Sequence, residues 1–316
     1  MLISRIVLGG ILVLCAGAAS GQEFPTKPLR IITGTPGGTN DFMARFIAQG
    51  ISGPLGQNVV VDNRSSAVVG ELVAKAPPDG YTMLIQGSQI WIQQYMQKVQ
   101  YDAVKDLAPI TWASSLPSVL LVPNSLPAKT VKELIALAKA KPGELNYATG
   151  AVGSAQHLAT ELFNAMAGVK IARVEYRGTG PALAALLGGQ EVQLLLSGVG
   201  VGMPYAKAGK LRALAITSPE PSALAPDLPT VAATLPGYQS QSMSGVWAPA
   251  KTPDKVVDRL NREIVRFLKR PDIKEKLLAT GTEVVANSPK EFAVAMKNDM
   301  TRMGKIIKDL GIRGGE

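Results

Sequence analysis

The chain of 316 residues has one cysteine, Cys15, and one histidine, His157. A lone cysteine excludes a disulfide framework, and a lone histidine would leave a metal site to be completed by carboxylates. Aromatic residues make up 5% and charged residues 18%, against 46% hydrophobic. That balance excludes a mostly disordered chain, which needs low hydrophobicity and dense charge. Gly, 32 in number, is about a tenth of the chain, too little for a collagen-like repeat. The net charge of +9 is spread along the sequence rather than gathered in a basic patch interleaved with aromatics, so nucleic acid is not an expected partner. Beyond the N-terminal region, no stretch reaches the roughly 20 apolar residues of a membrane span without a charge or proline. The length suffices for about two ordinary domains with a buried core.

At the N-terminus, Met1–Arg5 carries one positive charge, Ile6–Cys15 is an apolar run, and Ala16–Gly21 is a series of small residues. This order predicts a cleaved secretory signal peptide over residues 1–22, with cleavage after Ala18 or Ser20. A lipid anchor on Cys15 would want a small residue before it, and Leu14 is not small. Without Arg5 the mature chain carries 9 − 1 = +8 and has no cysteine. The expected product is an exported, soluble, periplasmic monomer whose stability comes from core burial.

Short β-branched or apolar runs alternate with helix-length amphipathic segments. Leu29–Thr33, Val59–Asp62, Thr82–Ile85, Val119–Val122, Val192–Leu196 and Leu211–Thr217 read as strands buried on both faces of a largely parallel sheet. Thr130 with Glu133, Thr252 with Pro253, and Ser288 with Pro289 and Glu291 mark helix starts. The alternation predicts an α/β fold. Extended runs at Pro109–Ser125 and Gly245–Pro249 suggest two crossings between lobes. The first lobe would comprise 23–118 and 246–316, the second 119–245.

The recurring motif is a strand that ends in a Gly-rich turn and feeds a helix. It occurs at Thr33-Gly34-Thr35-Pro36-Gly37-Gly38-Thr39-Asn40-Asp41, at Ala148-Thr149-Gly150-Ala151-Val152-Gly153-Ser154, and at Tyr176-Arg177-Gly178-Thr179-Gly180-Pro181. A weaker instance is Ile85-Gln86-Gly87-Ser88-Gln89. Glycine permits close backbone approach, and the first N–H groups of each helix lack internal partners at the positive end of the dipole. Such corners suit an anion, above all a carboxylate, at the C-terminal ends of the strands. Asp41, the acid within these turns, also fits a helix-start capping role. Enzyme motifs are missing: there is no G-x-S-x-G elbow, P-loop or complete G-x-G-x-x-G. Ser154 and His157, three apart at a helix start, are explained by helical adjacency better than by a hydrolase site, which remains the minor alternative.

The chain resembles the extracytoplasmic substrate-binding proteins of tripartite tricarboxylate transporters, the Bug or TctC family. The resemblance runs from Phe24 to the C-terminus through Phe24-Pro25-Thr26-Lys27-Pro28, Pro36-Gly37-Gly38 with Asp41, Asp62-Asn63-Arg64, Ala76-Pro77-Pro78-Asp79-Gly80-Tyr81, Gly153-Ser154 with His157, Tyr176-Arg177-Gly178, and Pro226-Asp227-Leu228-Pro229-Thr230. It implies a type II periplasmic-binding-protein fold, two lobes with central sheets joined by two crossing strands and closing on a ligand. It also implies a non-enzymatic receptor, without cofactor or metal, that hands a small organic carboxylate to membrane permease subunits. The resemblance places the ligand carboxylate at the loops Pro36–Asp41 and Ala148–His157. Together with the other Gly-rich corners, the candidate ligand-binding residues are Thr35, Pro36, Gly37, Gly38, Thr39, Asn40, Asp41, Gly87, Ser88, Gln89, Ala148, Thr149, Gly150, Gly153, Ser154, His157, Tyr176, Arg177, Gly178 and Ser197. Trp91, in an unusual loop after Gly87, is expected either to stack on an aromatic acid or to serve as core. Where the family shows an Asp after the Val192 strand this chain has Leu196 and Ser197, which makes an amino-acid ligand less suitable. The other binding role considered is a ligand-sensing subunit for a membrane sensor kinase.

Overall fold

In the computed structural model, which describes residues 24–150 and 152–313, the apolar runs Leu29–Thr33 (β1), Val59–Asn63 (β2) and Thr82–Gln86 (β3) form parallel strands with β1 in the middle. The signal segment read at 1–22 lies outside the described residues. The strand expected at Val119–Val122 is the end of a much longer one, β4 (Leu107–Pro123). Three prolines, at 109, 117 and 123, lie along β4. Asn146–Thr149 (β5), Ala172–Glu175 (β6) and Leu194–Gly198 (β7) are parallel, with β5 between the other two. Leu211–Ile216 (β8), Gln241–Pro249 (β9) and Glu283–Val284 (β10) run antiparallel to β4.

The resulting sheet is mixed and has the order β2-β1-β3-β9-β4-β7-β5-β6, with β8 and β10 branching from β4. β4 organises this order by changing partners along its length. Leu107–Pro117 pairs with β9, whereas Ser118–Pro123 pairs with β7 and β8.

The helices are α1 (Thr39–Leu55), α2 (Val69–Ala74), α3 (Gln89–Ile92), α4 (Val131–Ala140), α5 (Ala155–Ala167), α6 (Thr179–Gly188), α7 (Val199–Lys207), α8 (Asp254–Leu268), α9 (Pro271–Ala279) and α10 (Pro289–Asp309). Thr130 caps α4 by accepting the Glu133 N–H, and Ser288 forms a reciprocal capping box with Glu291 at α10. At α8 the expected cap differs. Pro253 occupies the N-cap position, and the Thr252 hydroxyl donates instead to the Pro249 carbonyl at 2.7 Å. No helix among the described residues is long and apolar enough to cross a membrane.

Burial follows the sheet. Ile31, Met83 and Val246 pack under Met43, Ile47 and Ile51 of α1 and Leu260 and Ile264 of α8. Leu120, Tyr147 and Leu196 pack under Leu134 of α4 and Leu162 and Phe163 of α5. Burying each such Leu, Ile or Phe contributes roughly 1.5–3 kcal/mol. α10 belongs to two clusters: Phe292, Met296 and Ile307 pack with Trp91 and Trp247, while Ile306 packs with the α4–α5 group.

Candidate ligand-binding site

β1–β3 and β5–β7 run in opposite directions, because β3 is antiparallel to β9, β9 to β4 and β4 to β7. The two sets point their C-terminal ends, and so the starts of α1, α3, α5, α6 and α7, towards each other along β4. Gln86 at the end of β3 pairs with Gly245 opposite Trp112, and Gly198 at the end of β7 pairs with Ser118. At the β1–α1 corner, Thr35, Pro36, Gly37, Gly38 and Thr39 are exposed while Asp41 is buried. The Asp41 carboxylate accepts the Gly37 N–H at 2.9 Å and the Asn63 side-chain amide at 2.8 Å, and faces the Arg45 guanidinium at 3.0 Å. Burial works against the ionised carboxyl, but these donors overcome it and hold Asp41 below the usual carboxylate range. The Gly37 N–H is therefore occupied internally. Gly38 opens α1 without any side-chain cap, so the following backbone N–H groups are the donors left for an anion.

Asn40, in the first turn of α1, ties this corner to two others. Its Nδ2 donates to Gln86 Oε1 at the end of β3, and its Oδ1 accepts from Ser244 Oγ of β9 at 2.8 Å. The Gly87 N–H also donates to Gln86 Oε1, at 3.1 Å. Gln86 and Ser244 were missed from sequence as site residues. Gln86 carries a readable signal, a buried polar residue ending an otherwise apolar strand, but Ser244 depends on a strand pairing across the whole chain.

The β5–α5 corner is built differently. Ser154 Oγ accepts the His157 backbone N–H at 3.3 Å and lies 3.4 Å from Thr149 Oγ1. His157 Nδ1 accepts the Gly153 N–H at 3.0 Å. Burial lowers the imidazole's pKa, and with Nδ1 accepting, the neutral ring carries its proton on Nε2. Ser154 and His157 thus make local helix-start contacts and share no side-chain hydrogen bond of the kind that activates a nucleophile. Gly153 has φ +78°, and a Cβ there would overlap Met96 Cε, which follows α3. Glycine is required both for the turn and for this approach.

Ala148 is buried, Thr149 is buried, and Gly150 is half-buried at the same corner. The Tyr176 N–H donates to the Thr149 carbonyl at 2.9 Å, bringing the β6–α6 corner alongside, but Arg177 and Gly178 stay exposed. Ser197 is fully buried at the end of β7, opposite Val119. Gln89 is exposed, whereas Trp91 is buried, with its indole N–H donated to Asp299 at 2.8 Å and its ring edge-on to Trp247 and Phe292.

A cavity of about 250 Å³ joins the two halves of this arrangement. Ser88 and Trp91 of the β3–α3 corner line it together with Ala155 and Leu158 of α5. The Gly37 corner reaches it indirectly, through Asn40, Gln86 and Gly87. Among the described residues, no cluster of three or more His, Cys, Asp or Glu side chains could hold a metal ion.

The model of the Tripartite tricarboxylate transporter family receptor matches residues 43–312. Protein BugT of Bordetella pertussis is 34% identical over 315 residues, covering 96% of each chain. Among solved structures, R. palustris Rpa4515 with adipate is 36% identical with a TM-score of 0.72, covering 92% of this chain and 99% of that one. MatC from Rhodopseudomonas palustris with bound malate is 28% identical with a TM-score of 0.68, covering 90% and 100%. The α/β fold with its mixed sheet is thus that of the periplasmic solute-binding proteins, and the chain belongs to the tripartite tricarboxylate transporter receptor family.

Proposed function

We propose that this chain is an exported periplasmic receptor that captures a small organic carboxylate and delivers it to the permease subunits of a tripartite tricarboxylate transporter. The observation that carries this reading is the uncapped start of α1, held in place by the Asn40–Gln86–Ser244 hydrogen bonds. Its backbone N–H groups and positive dipole end match a carboxylate without any charged side chain having to be spent on it. The adipate and malate of the related structures are ligands of that chemistry.

In this reading, residues 23–118 with 246–316 form one lobe and 119–245 the other, linked through β4 and β9. The guest draws the β1–α1 and β5–α5 corners together because it binds the closed arrangement better than the open one. Ser154, His157, Tyr176 and Arg177 face the guest from the second lobe. The protein acts as a monomer, and no chemical conversion is involved.

Thermal melting with millimolar adipate, malate and citrate tests this. A ligand present at 100 times its Kd adds about 2.7 kcal/mol to folding stability, a readily measured rise in Tm. Asn40→Ala should remove most of the rise and also lower the ligand-free melt, because the buried Ser244 hydroxyl loses its acceptor. A flat response to all three acids, together with a flat response to aromatic monoacids, would defeat the reading.

A further inference from the structure

Beside the first turn of α1 lies an amide whose hydrogen bonding is only half used. Gln86 ends β3 and is 3% exposed. Its Oε1 accepts both the Gly87 backbone N–H at 3.1 Å and Asn40 Nδ2, which takes up both lone pairs. A backbone N–H can only donate, so the atom facing Gly87 is the oxygen and the amide cannot be turned over. Nε2 is thereby fixed on the opposite side, and among the described residues it donates to nothing. An almost wholly buried amide with idle N–H donors is costly unless something outside the chain accepts from them.

Two observations point to where that acceptor sits. Among the described residues, the fully enclosed side-chain atoms without a partner are Ser114 Oγ, Tyr176 Oη, Trp247 Nε1 and Arg302 Nε. Gln86 Nε2 is not one of them, so the small exposed part of this residue includes the nitrogen. Nε2 also stands 3.3 Å from the place of a Cβ on Gly34, the residue that opens the β1–α1 turn. The same Cβ would lie 2.6 Å from Ser66 Oγ in the β2–α2 loop. Glycine thus keeps clear the space into which Nε2 is aimed. Asn40, which holds Oε1, belongs to the first turn of α1, so this space adjoins the helix start that has no side-chain cap.

We infer that Gln86 is itself a ligand-binding residue: its Nε2 donates to one oxygen of the carboxylate whose other oxygen takes the free N–H groups of α1. The inference rests on the receptor reading above and adds a side-chain donor to it. An amide locked in this orientation accepts nothing on that side. It therefore selects against a guest that would present an ammonium group there.

Titration calorimetry of the full receptor with adipate, malate, citrate and benzoate tests the assignment, beside a ligand-free melt of each variant. Gln86→Glu keeps an acceptor for Gly87 and Asn40 but puts a carboxylate oxygen in place of Nε2. Affinity for whichever acid binds the wild type should fall about a hundred-fold, since a charge-assisted hydrogen bond is replaced by like charge. A buried charge can disturb the site by itself, so a second variant leaves Gln86 untouched. Gly34→Ala combined with Ser66→Ala removes the 2.6 Å overlap and sets a methyl group over Nε2. It should lower affinity about ten-fold, whereas Ser66→Ala alone should stay within about two-fold of wild type. Wild-type affinity in Gln86→Glu or in the double variant would overturn the inference and leave the receptor reading intact. So would the whole loss appearing in Ser66→Ala alone, which would make that hydroxyl the donor. If none of the four acids bound the wild type, the receptor reading would fail and this inference with it.

Discussion

The β1–α1 and β5–α5 corners share a strand, a glycine-rich turn and a helix start, yet they use their polar groups in opposite ways. In the first, a buried carboxylate holds the turn from beneath, and the helix start itself is left without a side-chain cap. In the second, the Ser154 hydroxyl caps the helix and a neutral His157 holds the turn. Asp41 brings a negative charge close to the place proposed for an anion, but Arg45 balances it at 3.0 Å. The contrast shows that one sequence pattern can yield either a corner that keeps its N–H donors for a guest or one that is largely self-satisfied. On this comparison, the proposed carboxylate would draw its affinity chiefly from α1, with the α5 corner supplying shape and closure.

The sharpest way to break the comparison is to remove Asp41. Asp41→Ala leaves the Gly37 N–H and the Asn63 amide without their acceptor, and the turn is expected to loosen. A loss of about 2 kcal/mol in urea unfolding, with weakened carboxylate binding, is the expected outcome. Because the folded-state pKa of Asp41 is lowered, its contribution is complete above the ordinary value of 3.8 and declines as pH falls through the folded-state value. The variant should lack that acid-side decline. An unaltered unfolding midpoint would mean that Asp41 does not hold the first corner.

His157 provides the corresponding test of the second corner, with a smaller effect. Burial lowers its pKa, so the unfolded chain takes up a proton more readily than the folded one. Its contribution is complete at high pH and is lost as pH falls through the ordinary value of 6.5. Melting temperature should decline between pH 7 and pH 5 in the wild type, and His157→Gln should flatten that step. Equal slopes in the two proteins would show that the ring is not held neutral.

Much of this architecture was readable beforehand. The strands at Leu29–Thr33 and Leu211–Ile216 follow from consecutive apolar residues, and the α10 start follows from Ser288 and Glu291, because these signals are local. The glycine-rich corners were readable for the same reason. What escaped depends on distant pairing. The Ser244 contact with Asn40 joins residues 204 positions apart, and Trp91 finds Asp299 across 208. The Thr252 hydroxyl turning to Pro249 instead of capping α8 is a local competition between two acceptors that residue type alone does not decide. The opposite characters of the two corners were likewise hidden, since Ser154 and Gly38 both look like acceptable N-caps.

Gly38 offers the subtlest test, because it converts one corner into the other. Its φ of −81° and ψ of 168° are ordinary extended values, and a Cβ there would lie 3.6 Å from the Thr35 carbonyl oxygen, a normal contact. Glycine is therefore not required by backbone conformation. Gly38→Ser supplies the hydroxyl that Ser154 supplies at α5, and should stabilise the ligand-free protein by only a few tenths of a kcal/mol. The same hydroxyl occupies an N–H that a carboxylate would use, so binding should weaken several-fold as stability rises. Adipate titration beside thermal melting reads both quantities at once. If the carboxylate bound Gly38→Ser as tightly as wild type, the uncapped start of α1 would not be the anion's seat, and the difference between the two corners would be structural only.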